Sequence, residues 1–426
     1  MVEVTENKTG DTLSLPKGLK QTEVGMIPVD WEVKSIGNHF EFKNGLNKEK
    51  KYFGSGTPIV NYMDVFENTA ITRNVIHGKV QLSREEIKRY SVKVNDVFFT
   101  RTSETREEIG ISAVCIEDLE DTVFSGFVLR ARPKSSDFNS DFCRFCFSSS
   151  IAREQIERTA SITTRALTNG RLLSDIHIPL PPTLTEQRAI ATALSDMDDL
   201  IQAQEQLIAK KRAIKQGATQ ELLRPKEGWE VKKLHEILAS TQLGGNYQNS
   251  KKASGPPLIK MGNIQRGYIS LEKVEQIISQ QLDERDKLRF HDLLFNTRNT
   301  LELVGKVAIW KNELPLAYFN SNLMRMVFKD EFISSNYFMN SLFNTEGVIK
   351  SLKDIATGTT SVAAIYTKDL LHLSISYPDK TEQTRIARIL SNMDTEIEQL
   401  EAQLTKYRQL KVGMMQELLT GKKRLV

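Results

Sequence analysis

One stretch occurs twice in this chain and restricts the folds that the chain can adopt. The first copy opens with Thr-Glu-Gln at Thr185 and closes with Gln-Glu-Leu-Leu at Leu223. The second opens with Thr-Glu-Gln at Thr381 and closes with the same four residues at Leu419. Both ends are offset by 196 positions, so the copies are equally long. A repeat spaced at nearly half the chain length predicts two structurally similar halves.

Both copies are predicted to be long amphipathic helices. Their apolar residues recur in alternating steps of four and three, which is the period of a coiled-coil seam. The predicted seam residues are Ile190, Leu194, Met197, Ile201 and Ile208, followed by Ile386, Leu390, Met393, Ile397, Leu400 and Leu404. Four polar residues interrupt the seam without an evident reason: Gln204, Lys211, Lys215 and Lys411.

Capping signals mark the ends of both helices. Thr183 with Glu186, and Asp379 with Glu382, have the spacing of a capping box. Pro225 stops the first helix, and Gly421 can close the second. A helix of roughly 38 residues, at about 1.5 Å per residue, forms a rod of about 55–60 Å.

An apolar seam requires a partner, which is either a second molecule or the other copy in the same chain. Each copy follows a globular segment, so we favour pairing within the chain. Antiparallel pairing would place the globular segments at opposite ends of the rod, whereas parallel pairing would crowd them together. A Trp-Glu-Val-Lys segment recurs at Trp31 and Trp229, and Trp229 closely follows the first helix. Two-fold symmetry therefore predicts that the Trp31 segment lies beside the end of the second helix.

The predicted fold class is α+β, with two globular domains separated by two long helices that form an intramolecular antiparallel coiled coil with a pseudo-two-fold repeat. Short strands and turns dominate each globular segment, with a helical stretch near its end. The predicted divisions are a flexible tail at 1–20, a first domain at 21–182, a helix at 183–224, a second domain at 225–378 and a helix at 379–426.

Composition is that of a soluble globular protein, with 39% hydrophobic and 26% charged residues. The net charge of +4 neither requires nor excludes a nucleic-acid partner. Three cysteines are too few for a disulfide framework, which favours the cytoplasm. Cys143 and Cys146 have CxxC spacing, but their apolar surroundings favour core residues over a metal site. No apolar run is long enough to span a membrane.

Motifs for catalysis or cofactor binding are missing from the sequence. There is no Walker A pattern, and no G-x-G-x-x-G opens a helix after a strand. Pro181 and Pro182 superficially resemble an adenine methyltransferase loop, but the flanking Asn and aromatic residue are absent. The six histidines lack ligand spacing. We therefore predict no catalytic residue, no metal and no cofactor on this chain.

Loops rich in Arg, Lys, Asn, Ser and Thr occur at matching places in both halves. Such side chains contact base edges and phosphates. The candidate DNA-binding residues of the first half are Lys50, Lys51, Tyr52, Arg101, Thr102, Ser103, Arg106, Thr164 and Arg165. Those of the second half are Asn246, Tyr247, Gln248, Asn263, Gln265, Arg266, Arg298, Asn299 and Thr300. A single loop of this kind is usually a solvated turn, but the paired occurrence favours a shared function.

In sequence, Thr297-Arg298 aligns with Thr100-Arg101 when one residue is inserted between the halves. This alignment makes Arg101 and Arg298 equivalent residues. The loops around these anchors diverge much more than the anchors do. A common scaffold with different loops is typical of two modules that bind different targets in the same way.

The duplicated arrangement resembles the specificity subunit of type I restriction–modification enzymes. The resemblance rests on Gly-x-Ile-Pro-x-x-Trp at Gly25, on the Pro-Pro…Glu-Gln…Ile helix entrance at Pro181, and on their repetition over residues 17–424. The second entrance departs from the first, with Tyr377-Pro378-Asp379-Lys380 in place of Pro181-Pro182-Thr183-Leu184.

The resemblance implies that each globular domain recognises one half of a bipartite, asymmetric target in double-stranded DNA. It also implies that the coiled coil sets the spacer between the half-sites and binds two methyltransferase subunits. S-adenosylmethionine would bind those subunits, and ATP would bind restriction subunits that translocate and cleave DNA. Two other hypotheses remain open: a methyltransferase fused to its recognition module, and a coiled-coil assembly protein without sequence-selective DNA binding.

Overall fold

The computed structural model describes residues 18–162, 164–278 and 281–426. Most of the predicted flexible tail therefore lies outside the described residues. Leu19 and Lys20, which belong to that predicted tail, lie in a strand that pairs with Gly25–Pro28. Within the described ranges, no helix combines the length and apolar character needed to cross a membrane.

Two compact units make up the chain. Unit 1 comprises residues up to 204 together with 403–426, and unit 2 comprises residues 205–402. Each unit therefore contains one globular part and half of each long helix. The helices are α1 (Ile36–His39), α2 (Tyr62–Phe66), α3 (Arg84–Arg89), α4 (Ser140–Cys146), α5 (Ser150–Thr159), α6 (Gly170–Ser174), α7 (Leu184–Leu222), α8 (Leu234–Ile237), α9 (Asn336–Phe343), α10 (Glu346–Asp354), α11 (Thr367–Leu371) and α12 (Lys380–Leu418).

Short strands form the rest of the regular structure. Those of unit 1 are β1 (Leu19–Thr22), β2 (Gly25–Pro28), β3 (Glu32–Ser35), β4 (Phe40–Asn44), β5 (Phe53–Val60), β6 (Ala70–Ile71), β7 (Lys79–Val80), β8 (Val97–Thr100), β9 (Thr102–Ser103), β10 (Ser112–Cys115), β11 (Val123–Phe124), β12 (Val128–Pro133), β13 (Ser161–Ile162), β14 (Ala166–Leu167) and β15 (His177–Leu180). Those of unit 2 are β16 (Glu230–Lys233), β17 (Leu238–Leu243), β18 (Asn249–Ser250), β19 (Pro257–Ile259), β20 (Glu275–Ile277), β21 (Leu293–Asn296), β22 (Arg298–Asn299), β23 (Val307–Ile309), β24 (Tyr318–Phe319), β25 (Leu323–Phe328), β26 (Thr357–Gly358), β27 (Ala363–Ala364) and β28 (Ser374–Tyr377).

The sheets repeat between the units, which confirms the α+β class and the internal repeat. The central sheet of unit 1 has the order β4-β12-β8-β10-β6, and that of unit 2 has the order β17-β25-β21-β23. The three-stranded sheet β13-β14-β9 of unit 1 corresponds to the sheet β26-β27-β22 of unit 2. The strand of each Trp-Glu-Val-Lys segment pairs with the strand that leads into a long helix, as β3 with β15 and β16 with β28.

Strand β8 lies between two cores, which explains its continuous apolar run. Val97 and Phe99 face the core that contains Trp31 and the helices, whereas Phe98 faces a smaller core on the other side. In unit 2, Phe295 and Leu294 divide between two cores in the same way. The sheet therefore fixes the strand ends, and with them the polar loops that follow.

The long helices begin and end where the capping signals predicted. The N–H of Glu186 donates to Thr183 Oγ1 at 3.1 Å, and the N–H of Glu382 donates to Asp379 Oδ1 at 2.9 Å. Gly421 has a φ of 69° and donates its N–H to Leu418 O, which is a left-handed C-terminal cap. Both helices are 39 residues long.

Within each unit the two helices run antiparallel. In unit 1, Gln204 contacts Gln403 at 3.4 Å and Asp198 lies 2.5 Å from Lys411, so the first half of α7 lies against the last half of α12. In unit 2, Lys211 lies 2.6 Å from Glu396, so the last half of α7 lies against the first half of α12. The predicted seam residues are all buried or half-buried: Ile190, Leu194, Met197, Ile201, Ile208, Ile386, Leu390, Met393, Ile397, Leu400 and Leu404.

The glutamine of each Glu-Gln motif is a structural anchor. Gln187 is 1% exposed; its Nε2 donates to Asp137 O and Pro181 O, and its Oε1 accepts from the N–H of Asn139. Gln383 makes the same three bonds with Phe332 O, Pro378 O and the N–H of Ser334. Each long helix is thereby bonded at its first turn to the loop that precedes α4 or α9.

The Trp31 segment lies beside the end of the second long helix in unit 1, as the symmetry predicted. Trp31 shares a core with Leu418 and Leu419. The Arg424 guanidinium lies 6.0 Å from the Trp31 ring centroid and 3.0 Å from the Asp30 carboxylate. The C-terminal residues therefore close unit 1. Cys143 and Cys146 are buried in the same core, as predicted.

Candidate nucleic-acid interface

A small sheet brings together predicted residues from two segments of unit 1. Strand β9 carries Thr102 and Ser103 and pairs with β14, which pairs in turn with β13. The turn between β13 and β14 exposes Thr164 and Arg165. Two segments that are far apart in sequence are thus adjacent in the fold, and together they present hydroxyl and guanidinium groups on one edge.

Unit 2 repeats this small sheet with different side chains. Strand β22 carries Arg298 and Asn299 and pairs with β27, which pairs with β26. The Arg298 side chain is exposed and has no hydrogen bond or ion pair within the described ranges. It borders a cleft of about 290 Å³ whose lining includes Leu243, Asn322 and Tyr366. Arg298 is therefore available to an external ligand.

The predicted equivalence of Arg101 and Arg298 is wrong. The N–H of Arg101 donates to Phe127 O, while the N–H of Thr297 makes the corresponding bond with Asn322 O. The O of Arg101 accepts from Thr168, and the O of Thr297 accepts from Ile365. The strands therefore superpose without an insertion, so Arg298 corresponds to Thr102. The Thr-Arg dipeptide that both halves contain suggested the wrong alignment, because the strand register is not visible in the sequence.

Arg101 is held more tightly than Arg298. Its Nη1 donates to Gly126 O at 2.9 Å, and the side chain is half-buried. Ser103 is buried, and its Oγ donates to a Glu108 carboxylate oxygen at 2.9 Å. Ser103 is thus occupied within unit 1, whereas Arg106 is exposed in the loop that follows. Of the candidates in this segment, Arg106 is the most accessible, and Thr102 is half-buried.

The basic segment 50–52 forms a short 3₁₀ helix. Two ammonium groups lie near the Tyr52 ring, with Lys48 Nζ 5.0 Å and Lys51 Nζ 5.1 Å from its centroid. Lys51 also pairs with Glu49 at 2.7 Å. Lys50 is exposed and makes no such pair within the described residues. It is the cation of this segment with the most freedom to contact a phosphate.

The corresponding segment of unit 2, residues 246–248, contains both exposed and partly buried residues. Asn246 and Gln248 are exposed. The Tyr247 hydroxyl donates to Asp286 at 2.7 Å and accepts from the N–H of Asp283 at 3.1 Å. Burial, together with these carboxylates, raises the pKa of Tyr247 to about 12. Tyr247 therefore supports the loop, and its neighbours remain candidates for DNA contact.

The segment 263–266 lies against the loop that follows Arg298. Asn263 is 2% exposed, with its side chain bonded to Lys260 N and Ser270 O. It stabilises its own turn and does not reach the surface, which corrects the prediction for this residue. Arg266 Nη2 donates to Glu302 O at 3.4 Å, and Gln265 Oε1 accepts from Lys306 at 2.9 Å. The fold therefore brings Gln265 and Arg266 to the loop that begins with Asn299 and Thr300.

Three further residues at these edges were not predicted from the sequence. Phe127 is 66% exposed and follows the glycine to which Arg101 donates. Tyr268 is 59% exposed, two residues after Arg266. Lys306 contacts Gln265. An aromatic residue beside a glycine in a polar loop was the available signal for Phe127, but the position of Lys306 depends on strand pairing.

Comparison with known proteins assigns two separate regions of the chain to one family. Residues 28–210 and 226–406 match the family described as the type I restriction modification DNA specificity domain. The putative type I restriction enzyme MjaX specificity subunit of Methanocaldococcus jannaschii is 26% identical, over 96% of this chain and 97% of that protein. The MjaVIII specificity subunit of the same organism is 26% identical over 94% of each chain.

Two solved structures have a similar fold. The type I restriction–modification S subunit from M. genitalium has a TM-score of 0.53 at 14% identity, covering 91% of this chain and 96% of that one. A chain from a study of complex assembly and conformational transition of the type I R-M system has a TM-score of 0.56 at 14% identity, covering 93% and 99%. At such identities the likeness shows the fold alone.

Proposed function

Because this chain belongs to the specificity subunits of type I restriction–modification enzymes, we propose that it recognises a bipartite, asymmetric sequence in double-stranded DNA, with one half-site for each globular domain. The observation that carries this proposal is the repeated small sheet. Each unit presents the same three strands at the same place, but Thr102 in one unit is replaced by Arg298 in the other. A common frame with different side chains supports two half-sites of different sequence.

The chain acts in the cytoplasm as the recognition component of a larger enzyme and performs no catalysis itself. Two methyltransferase subunits bind along the helix pair and supply S-adenosylmethionine, and restriction subunits supply ATP-dependent translocation and cleavage. The outer faces of α7 and α12 support this role, because they expose residues of both charge signs that the seam does not use. No metal or cofactor is assigned to this chain.

The helix pair sets the spacer between the half-sites. The antiparallel contacts support this role because they fix the register of the two helices. Deleting seven residues from one helix keeps the heptad phase and is expected to change the spacer, not the half-site sequences. An unchanged spacer would contradict the role of the helices as a spacer.

Methylation assays test the division of labour. The purified chain alone is incubated with DNA and labelled S-adenosylmethionine, and we expect no methyl transfer. Cells that carry the chain together with its methyltransferase subunit should methylate adenines within one bipartite sequence. Methyl transfer by the chain alone would favour a fused methyltransferase. Methylation without sequence preference would favour an assembly protein.

A further inference from the structure

Unit 2 contains two partly buried cationic side chains that have no carboxylate partner in the described part of the chain. Lys306 is 9% exposed, and Arg266 is half-buried. Neither forms an ion pair with a carboxylate in the described part of the chain. Burying a charge is costly unless it is paired, so two such cations side by side indicate a site for an external anion.

The hydrogen bonds of these groups leave donors unused. Lys306 Nζ donates one bond, to Gln265 Oε1 at 2.9 Å, although an ammonium has three donors. Arg266 donates from Nη2 to Glu302 O at 3.4 Å, and its buried Nη1 has no partner. Burial lowers the pKa of both groups, and the charge of Arg266 further lowers the pKa of Lys306. An anion placed between them would relieve both effects.

The strand register places this pair beside the exposed Arg298 strand. The N–H of Asn296 donates to Lys306 O at 2.8 Å, and Asn296 directly precedes Thr297 and Arg298. The loop 300–305 then connects that strand to Lys306, and Arg266 bonds to Glu302 within it. The cation pair therefore lies on the edge at which unit 2 presents its candidate DNA-binding residues.

Unit 1 has an uncharged residue at the position equivalent to Lys306. The N–H of Thr100 donates to Ile111 O at 2.9 Å, so Ile111 stands where unit 2 has Lys306. The preceding glycines, Gly110 and Gly305, both have positive φ, which confirms this correspondence. In the loop before Ile111, Glu108 bonds to Ser103. The charge of Lys306 therefore has no counterpart at the same position of unit 1.

We propose that Lys306 and Arg266 form a binding site for one backbone phosphate of DNA, which adds an electrostatic contact to the second recognition domain. This inference rests on the proposed function, since it assigns the phosphate to the recognised DNA. A phosphate contact positions the domain on the duplex and carries no base preference. Its loss weakens binding equally on cognate and altered sequences.

The test measures the DNA affinity of the full chain assembled with its methyltransferase subunits, at several salt concentrations. Each phosphate contact contributes about 0.9 to the slope of log K against log salt concentration. Lys306→Met and Arg266→Gln are each expected to make the slope less steep by up to that amount. Lys306→Arg is expected to keep the wild-type slope. Lys260→Met is the matched control, because Lys260 is half-buried but paired with Glu275 at 2.9 Å.

The outcomes separate this inference from the proposed function. A wild-type complex without sequence-selective binding would overturn both. Selective wild-type binding with unchanged slopes in Lys306→Met and Arg266→Gln would overturn the phosphate site alone. An equal change of slope in Lys260→Met would also overturn it. A further experiment measures the thermal stability of the free chain with inorganic phosphate at up to millimolar concentrations. Phosphate should stabilise the wild type no more than it stabilises Lys306→Met. Greater stabilisation of the wild type would assign the site to a free anion.

Discussion

Lys411 of α12 lies 2.5 Å from Asp198 of α7 in unit 1, and Lys215 forms the same ion pair with Asp394 in unit 2. Lys215 and Lys411 are 196 positions apart, as are Asp198 and Asp394, so the two pairs are copies of one contact. The lysines occupy seam positions that an apolar residue would otherwise fill. Each ion pair joins one helix to the other and can form in only one register of the two helices. These polar residues of the seam therefore specify that register.

The first prediction concerns this register. In thermal unfolding, Lys411→Glu should lower the stability of the chain because it places two acids together, and Asp198→Lys should partly restore it in the double variant. Both side chains are about one quarter exposed, so solvent screening limits the coupling energy to about 0.5–1 kcal/mol. A double variant no more stable than the sum of the single variants would show that the pair does not couple the helices.

The second prediction concerns the apolar part of the seam. Ile397 is 8% exposed, and Ile397→Asp is expected to cost about 3 kcal/mol or more, because it buries a charge without a partner. Leu410→Asp on the same helix is the matched control, since Leu410 is 53% exposed and should change stability by less than about 0.5 kcal/mol. Denaturant unfolding measures both. Equal effects would mean that Ile397 is not buried in solution.

The third prediction concerns the glutamine anchors. Gln383→Ala leaves the N–H of Ser334 and two carbonyl groups without their partner, at a cost of about 1–3 kcal/mol. Hydrogen exchange should accelerate in residues 332–336, whereas Gln187→Ala should accelerate exchange around Asn139. The exposed Gln220→Ala is the control. If Gln383→Ala left exchange at Ser334 unchanged, the anchoring role would be refuted.

The sequence allowed the seam, the helix ends and the closure of unit 1 by Trp31 to be predicted, because each depends on a local pattern or on the repeat itself. Heptad spacing defines which face of a helix is buried, and capping residues define where it starts. The partners of Lys215 and Lys411 could not be predicted, because they depend on the register of two segments far apart in sequence.

The candidate interface was predicted less completely than the helices. Residue type and loop position identified Arg298 and Arg165, which are exposed in the structure. The same criteria also selected Asn263, which is buried, because an Asn that stabilises its own turn looks identical in sequence to one that contacts a base. Lys306 was missed because only strand pairing brings it to Gln265.

Arg298→Ala gives the most direct test of recognition by two separate domains. The side chain is exposed, so the substitution should leave stability within about 0.5 kcal/mol. Loss of an arginine that contacts a base typically costs about 1–3 kcal/mol of discrimination. Methylated adenines are mapped in DNA from cells that carry the variant and its methyltransferase subunit.

We expect Arg298→Ala to relax sequence preference in one half of the methylated target while the other half and the spacer remain unchanged. The matching change Thr102→Ala, at the equivalent position of unit 1, should affect only the opposite half. Equal relaxation of both halves by either variant would contradict the assignment of one half-site to each domain.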